Sequence, residues 1–127
     1  MLAAESGSPV KQIWLRVSGL RIRCLVTGVS GPPVLLLHGA GLDAAGLSLG
    51  SAMVALADTC RVFALDLPGF GESDPMPANW GFAECSAFLA PLLDRLGLPR
   101  AGLAGLSMGG GVALGFALQA PDRVERL

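Results

Sequence analysis

From Lys11 onward the apolar positions alternate: Ile13, Leu15 and Val17, then Leu20, Ile22, Cys24 and Val26. A period of two predicts strands with one buried face. Ser18-Gly19 between the two runs is a two-residue hairpin signal, and Gly28 to Pro33 is a turn-rich break. Val34-Leu35-Leu36-Leu37 is apolar on both faces, as expected of a parallel strand covered by helices on each side. Similar runs recur at Val62 to Leu65 and Ala101 to Leu106. Between them lie helical patterns. Leu47 to Ala57 is one, with Asp43 as its N-cap and Gly46 and Gly50 weakening it. Phe82, Cys85, Leu89, Leu92, Leu93 and Leu96 form a stripe at spacing three and four, ended by Gly97 and Pro99. Met108 to Gln119 is the third. The order predicts an α/β fold: a mostly parallel sheet of about five strands with an N-terminal antiparallel hairpin and about three helices. Residues 1–9 read as a flexible tail.

Composition narrows the function classes. The chain has 127 residues, 52% of them hydrophobic and 15% charged, so it is an ordered globular chain and not a disordered one. Nine basic and ten acidic residues leave a net charge of −1, with no footprint for nucleic acid and no polybasic membrane patch. Cys24, Cys60 and Cys85 form no CxxC pair and read as buried thiols in a reducing compartment. The N-terminus lacks the basic and apolar regions of a signal peptide, so cytoplasm is expected. With one histidine and no ligand cluster, no metal or other cofactor is expected. Ala101 to Leu118 is uncharged over 18 residues but holds six glycines, which suits a strand, a tight turn and a buried helix better than a membrane span.

Three segments carry chemistry. Gly105-Leu106-Ser107-Met108-Gly109, followed by Gly110, joins a buried strand to a helix, the context of a nucleophile elbow. Small residues let strand and helix approach, and the serine stands at the helix N-terminus, where developing negative charge is favoured. His38-Gly39-Ala40-Gly41 ends an earlier apolar strand, where small residues let backbone N–H groups face the cleft. The backbones of Ala40 and Met108 are the candidate oxyanion donors. His38 reads as a loop-building residue in preference to a general base, which would need to reach Ser107. Asp66-Leu67-Pro68-Gly69-Phe70-Gly71-Glu72-Ser73 follows another buried strand, and Asp66 heading a Pro-Gly turn reads as a loop anchor in preference to a catalytic acid. Neither a dinucleotide nor a Walker A pattern is present.

Together these segments resemble the α/β-hydrolase superfamily, specifically the N-terminal half of small esterase-like serine hydrolases, over about residues 10–127. The resemblance implies a truncated α/β-hydrolase fold, Ser107 as nucleophile, and the N–H groups of Ala40 and Met108 as oxyanion hole. His38, Gly39, Gly41, Asp66, Gly69, Gly71, Gly105, Gly109 and Gly110 support the elbow and loops. The serine separates the chain from relatives with Asp at the elbow. The family order is Ser, acid, His, yet only 20 residues follow Ser107 and none is a histidine; Asp122 and Glu125 lie just past the third helix, and residues 123–127 lead into a further strand. The later acid, the histidine and the cap are absent, so the chain alone is expected to be inactive, with an open apolar sheet edge inviting self-association. The implied reaction is cleavage of a carboxylester or related acyl bond of a small molecule. C–C bond hydrolysis, lactone opening, acyl transfer and peptide hydrolysis are runners-up. The alternative is a non-catalytic binding or interaction module that uses the exposed edge.

Overall fold

The computed structural model of the chain describes residues 8–127, so most of the expected tail lies outside the described residues. The elements are β1 (Lys11–Val17), β2 (Leu20–Thr27), β3 (Pro33–Leu37), α1 (Ala45–Ser48), α2 (Gly50–Leu56), β4 (Arg61–Leu65), α3 (Phe82–Ala87), α4 (Leu89–Arg95), β5 (Gly102–Gly105) and α5 (Met108–Gln119), followed by a 3-10 turn at Pro121–Arg123. They build one five-stranded sheet of order β1-β2-β4-β3-β5.

The β1–β2 hairpin turns through Ser18 and Gly19, with φ of 50° and 80°. Positive φ at both loop residues is the type I′ geometry, whose twist matches that of the strands. β3 pairs in parallel with β4 and with β5, whereas β2 pairs antiparallel with both β1 and β4. The sheet is therefore mixed, which corrects the expectation of a mostly parallel one. The hairpin docks directly on β4, placing Cys24 opposite Leu65, so its direction enters the sheet twice.

The apolar-on-both-faces run of β3 is explained by its neighbours. Leu35 and Leu37 join a core with Phe88, Leu89, Leu92 and Leu93 of α3–α4 and with Val112 and Phe116 of α5. Leu36, between them, joins Ala45, Leu49 and Met53 of the α1–α2 layer on the other face. Alternate residues of a strand point to opposite faces, so both must be apolar when both are covered.

Two expected helices are each broken. The stripe from Phe82 divides after Ala87 because Pro91 lacks the N–H that would reach the Ala87 carbonyl and its ring crowds that oxygen. The 47–57 segment divides around Leu49, between Gly46 and Gly50, where glycine's backbone entropy weakens a helix. Five helices thus stand, among the described residues, where about three were expected. The outer side of β5 is also less open than expected. Val124 bridges Ala101 in parallel, Glu125 N–H donates to the Ala101 carbonyl at 2.9 Å, and Leu103 N–H donates to the Arg126 carbonyl at 2.8 Å. Residues 124–126 therefore cover the amino end of this edge through one isolated bridge and its flanking hydrogen bonds.

Helices α3 and α5 cross closely where Ser86, buried, donates its hydroxyl to the Val112 carbonyl at 2.9 Å. A Cβ at Gly115 would collide with the Ser86 hydroxyl. Gly-to-Ala in a helix interior ordinarily stabilises by about 1 kcal/mol. At this crossing Gly115→Ala should instead destabilise by about 1–3 kcal/mol through overpacking. Urea unfolding of the native gene product checks this, and adding Ser86→Ala should recover part of the loss.

Candidate active site

Because β4, β3 and β5 are parallel neighbours, their carboxyl ends lie along one edge of the sheet. The loop beginning at His38 follows β3, Asp66 follows β4, and Ser107 follows β5. The three segments separated in sequence are thus brought side by side, where ligands bind in open α/β sheets.

Ser107 has φ 53° and ψ −111°, a backbone region that non-glycine residues rarely occupy. The elbow is held by backbone contacts. Leu106 N–H donates to the Leu37 carbonyl at 3.0 Å, and Gly109 N–H donates to the Leu106 carbonyl at 2.9 Å. A Cβ at Gly105 would run into the Gly109 backbone, and one at Gly109 would run into the carbonyls of Leu37 and His38. Only glycine permits α5 to start so near two strands. Gly110 continues the helix against the Gly105 carbonyl. The Ser107 side chain is exposed, and among the described residues its hydroxyl makes no hydrogen bond. Met108 N–H, at the first position of α5, and Ala40 N–H are likewise unpaired among the described residues. Gly39 abuts the elbow, a Cβ on it falling 3.7 Å from the Ser107 Cβ.

His38 is completely buried. Its Nε2 accepts the Leu67 N–H at 3.0 Å, which places the ring proton on Nδ1, 2.7 Å from the Gly39 carbonyl. Phe70 packs edge-on against the ring at 5.1 Å. Both nitrogens are engaged with loop backbone, so His38 ties the β3 loop to the β4 loop. Asp66 is also completely buried. It accepts Ala45 N–H and Glu72 N–H, each at 2.9 Å, and pairs with Arg23 at 3.3 Å. Gly71 lies so close that a Cβ there would strike the Asp66 carboxylate, and Gly69 turns against Met76. Gly41 turns in open space at φ 80°. Asp122 and Glu125 sit away from this edge. Asp122 is in the 3-10 turn, and Glu125 pairs with Arg100 at 3.1 Å beside the amino end of β5.

Asp43 plays a larger part than an N-cap. Ala44, not Asp43, precedes the first helical residue of α1. The Asp43 carboxylate accepts Gly39 N–H at 2.9 Å, Ala44 N–H at 2.8 Å and the Ser48 hydroxyl at 2.9 Å. It therefore clips the loop that carries Ala40. Burial pushes its pKa up, but the three hydrogen bonds outweigh that and hold it below the ordinary 3.8. Arg23 was also missed: its guanidinium spans Gln12, Asp66 and Glu72. A lone Arg in an alternating strand carries no signal of this. Burial pushes the Cys24 thiol up to about 12 and also raises Cys85, the latter with help from Glu84, so neither offers a nucleophile; Cys60 is only half-buried, which corrects the expectation of three buried thiols. No group of three or more metal-ligating side chains occurs among the described residues, and no helix among them is long and apolar enough to cross a membrane.

Residues 32–127 match the family model described as alpha/beta hydrolase fold, and the chain belongs to that family. It is 38% identical over 122 residues to the dihydrolipoyllysine-residue acetyltransferase component of the acetoin cleaving system of Cupriavidus necator, covering 96% of this chain and 32% of that protein. It is 40% identical over 111 residues to a 2-hydroxy-6-oxononadienedioate/2-hydroxy-6-oxononatrienedioate hydrolase of Burkholderia vietnamiensis, covering 85% and 38%. The solved 2-hydroxy-6-oxo-6-phenylhexa-2,4-dienoate hydrolase of a Rhodococcus species superposes with a TM-score of 0.82 at 29% identity, over 92% of this chain and 44% of that one. The chain thus spans about a third to two fifths of the length of these curated relatives.

Two stability measurements test the site's construction. A strained non-glycine backbone costs about 1–3 kcal/mol, so Ser107→Gly should stabilise by about 1–2 kcal/mol in urea unfolding, whereas Ser107→Ala keeps the strain and should not. The second concerns acid. A carboxylate whose folded pKa is depressed stabilises fully above its unfolded value and loses that contribution as pH falls through the folded value. For Asp43 the loss should fall below pH 3.8. Asp43→Asn should lower stability at pH 7 and shrink its decline in that acid window, followed by circular dichroism.

Proposed function

We propose that this protein is a serine hydrolase that cleaves a carboxylester or related acyl bond of a small molecule through an acyl-Ser107 intermediate. The observation that carries the reading is Ser107 on a strained elbow, its hydroxyl unbonded among the described residues, next to the unpaired Met108 N–H and against the Gly39 loop that carries the unpaired Ala40 N–H. The Ser107 oxygen attacks the carbonyl carbon while a base takes its proton. The resulting oxyanion is met by the N–H groups of Ala40 and Met108 and by the amino end of α5. Collapse expels the alcohol, which takes up that proton, and water then attacks the acyl-serine to release the acid and restore the hydroxyl.

The base and its acidic partner come, in this reading, from chain beyond Leu127. His38 is the sole histidine here, and both its nitrogens are engaged. Relatives named as hydrolases support hydrolysis as the outcome, with carboxylesters as the proposed substrates. Three free cysteines support a reducing compartment such as cytoplasm. The alternative of an edge-pairing module loses ground because residues 124–126 already occupy part of the β5 edge.

The native gene product should be labelled by a fluorophosphonate probe at Ser107, as located by peptide mass spectrometry, and Ser107→Ala should abolish labelling and ester turnover. Persistent turnover in Ser107→Ala would sink the proposal.

A further inference from the structure

Between the amino ends of α3 and α5 lies a cavity of about 190 Å³ walled by Met76, Gly81, Phe82, Cys85, Met108 and Val112. Met108 connects it to the candidate site, since the residue offering an N–H beside Ser107 also puts its side chain into this wall. The cavity is built, not incidental. Cys85 Sγ meets Met76 Sδ at 3.9 Å, and the Phe82 ring rests on Gly111 so closely that a Cβ there would fall 2.8 Å from it.

No side chain in the wall can pair with a charge. Its side chains are thioether, thiol, aromatic and aliphatic, and Gly81 adds none. Of the two helix starts that open beside it, that of α3 is already taken, because the Glu84 carboxylate accepts the Gly81 N–H at 2.7 Å, and that of α5 stands beside Ser107. A substrate carboxylate placed here would find no cationic side chain, would lie near the Glu84 carboxylate at the α3 start, and would give up hydration without a paired charge in return. An alkyl group would instead be favoured by each CH₂ it buries. Soft, unbranched methionine walls adapt readily to such a chain.

We infer that this cavity receives an uncharged apolar arm of the substrate, and so selects esters with an alkyl chain of several carbons over both acetate esters and esters ending in a carboxylate. This rests on the proposed acyl chemistry at Ser107. It separates the chain from the relative whose name specifies a dioate, at least for the substrate end held here.

The test uses the native gene product with two ester series, p-nitrophenyl acyl esters from acetate to octanoate and alkyl acetates from methyl to hexyl, plus a hemisuccinate ester. In the wild type kcat/KM should rise with chain length in one series, and the hemisuccinate should be poorer than the butyrate. Met76→Trp, which fills the cavity from its Met76 wall, should lower the long-to-short ratio by about tenfold or more; Phe82→Ala, which widens it, should extend the preferred length. If Ser107 labels with fluorophosphonate and acetate turns over, but neither ratio responds to Met76→Trp, the cavity inference fails while the serine hydrolase reading stands. A hemisuccinate preference overturns it too. So does an equal loss across all lengths with a lowered Tm, which would mean another part of the protein fills the cavity. Absence of Ser107 labelling removes the hydrolase reading and this inference with it.

Discussion

The contact on which the rest of this molecule depends is backbone against backbone, where α5 begins. Gly105 and Gly109 let the helix start within van der Waals reach of β3 and β5, with the carbonyls of Leu37 and His38 as its floor. Any side chain at either position would lift α5 off the sheet. The core contributed by Val112 and Phe116 would lift with it, as would the sharp turn that holds Ser107 forward. The two outcomes are linked, so the strain at Ser107 is maintained by the same packing that buries the helix.

Around that contact, buried polar side chains organise loops that lack regular structure. His38, Asp43 and Asp66 each bind backbone N–H or carbonyl groups of a different segment. Arg23 extends the network into the hairpin, tying β2 to the loop that follows β4. A loop edge is an expensive place to bury polar groups, and no buried side-chain nitrogen or oxygen is left without a partner among the described residues.

Much of this was legible in the chain itself. Period-two alternation, the continuous apolar runs and the Ser-Gly hairpin each reflect local geometry, and β1 to β5 follow them closely. Gly-x-Ser-x-Gly was readable because its chemistry and its sterics fall on adjacent residues. What escaped were relations between distant segments. β2 joins β4 because of how the hairpin docks, which no pattern within either strand encodes. Asp43 looked like a cap because Asp is among the residues preferred just before a helix. Its actual bond to Gly39 depends on a loop path that composition does not fix. The break at Pro91 was available in the sequence, since proline acts four residues back, but the apolar stripe around it dominated the reading.

The buried imidazole of His38 has a directional effect. A trans peptide holds its carbonyl and its N–H on opposite sides of the chain. Anchoring the Gly39 carbonyl on Nδ1 therefore aims the next N–H, that of Ala40, away from the ring. Asp43 fixes the preceding peptide by its own N–H, so two successive peptide planes are set before any ligand arrives. The histidine thus works as a rudder, steering a dipole it never touches, and the orientation energy is supplied at folding instead of at each encounter.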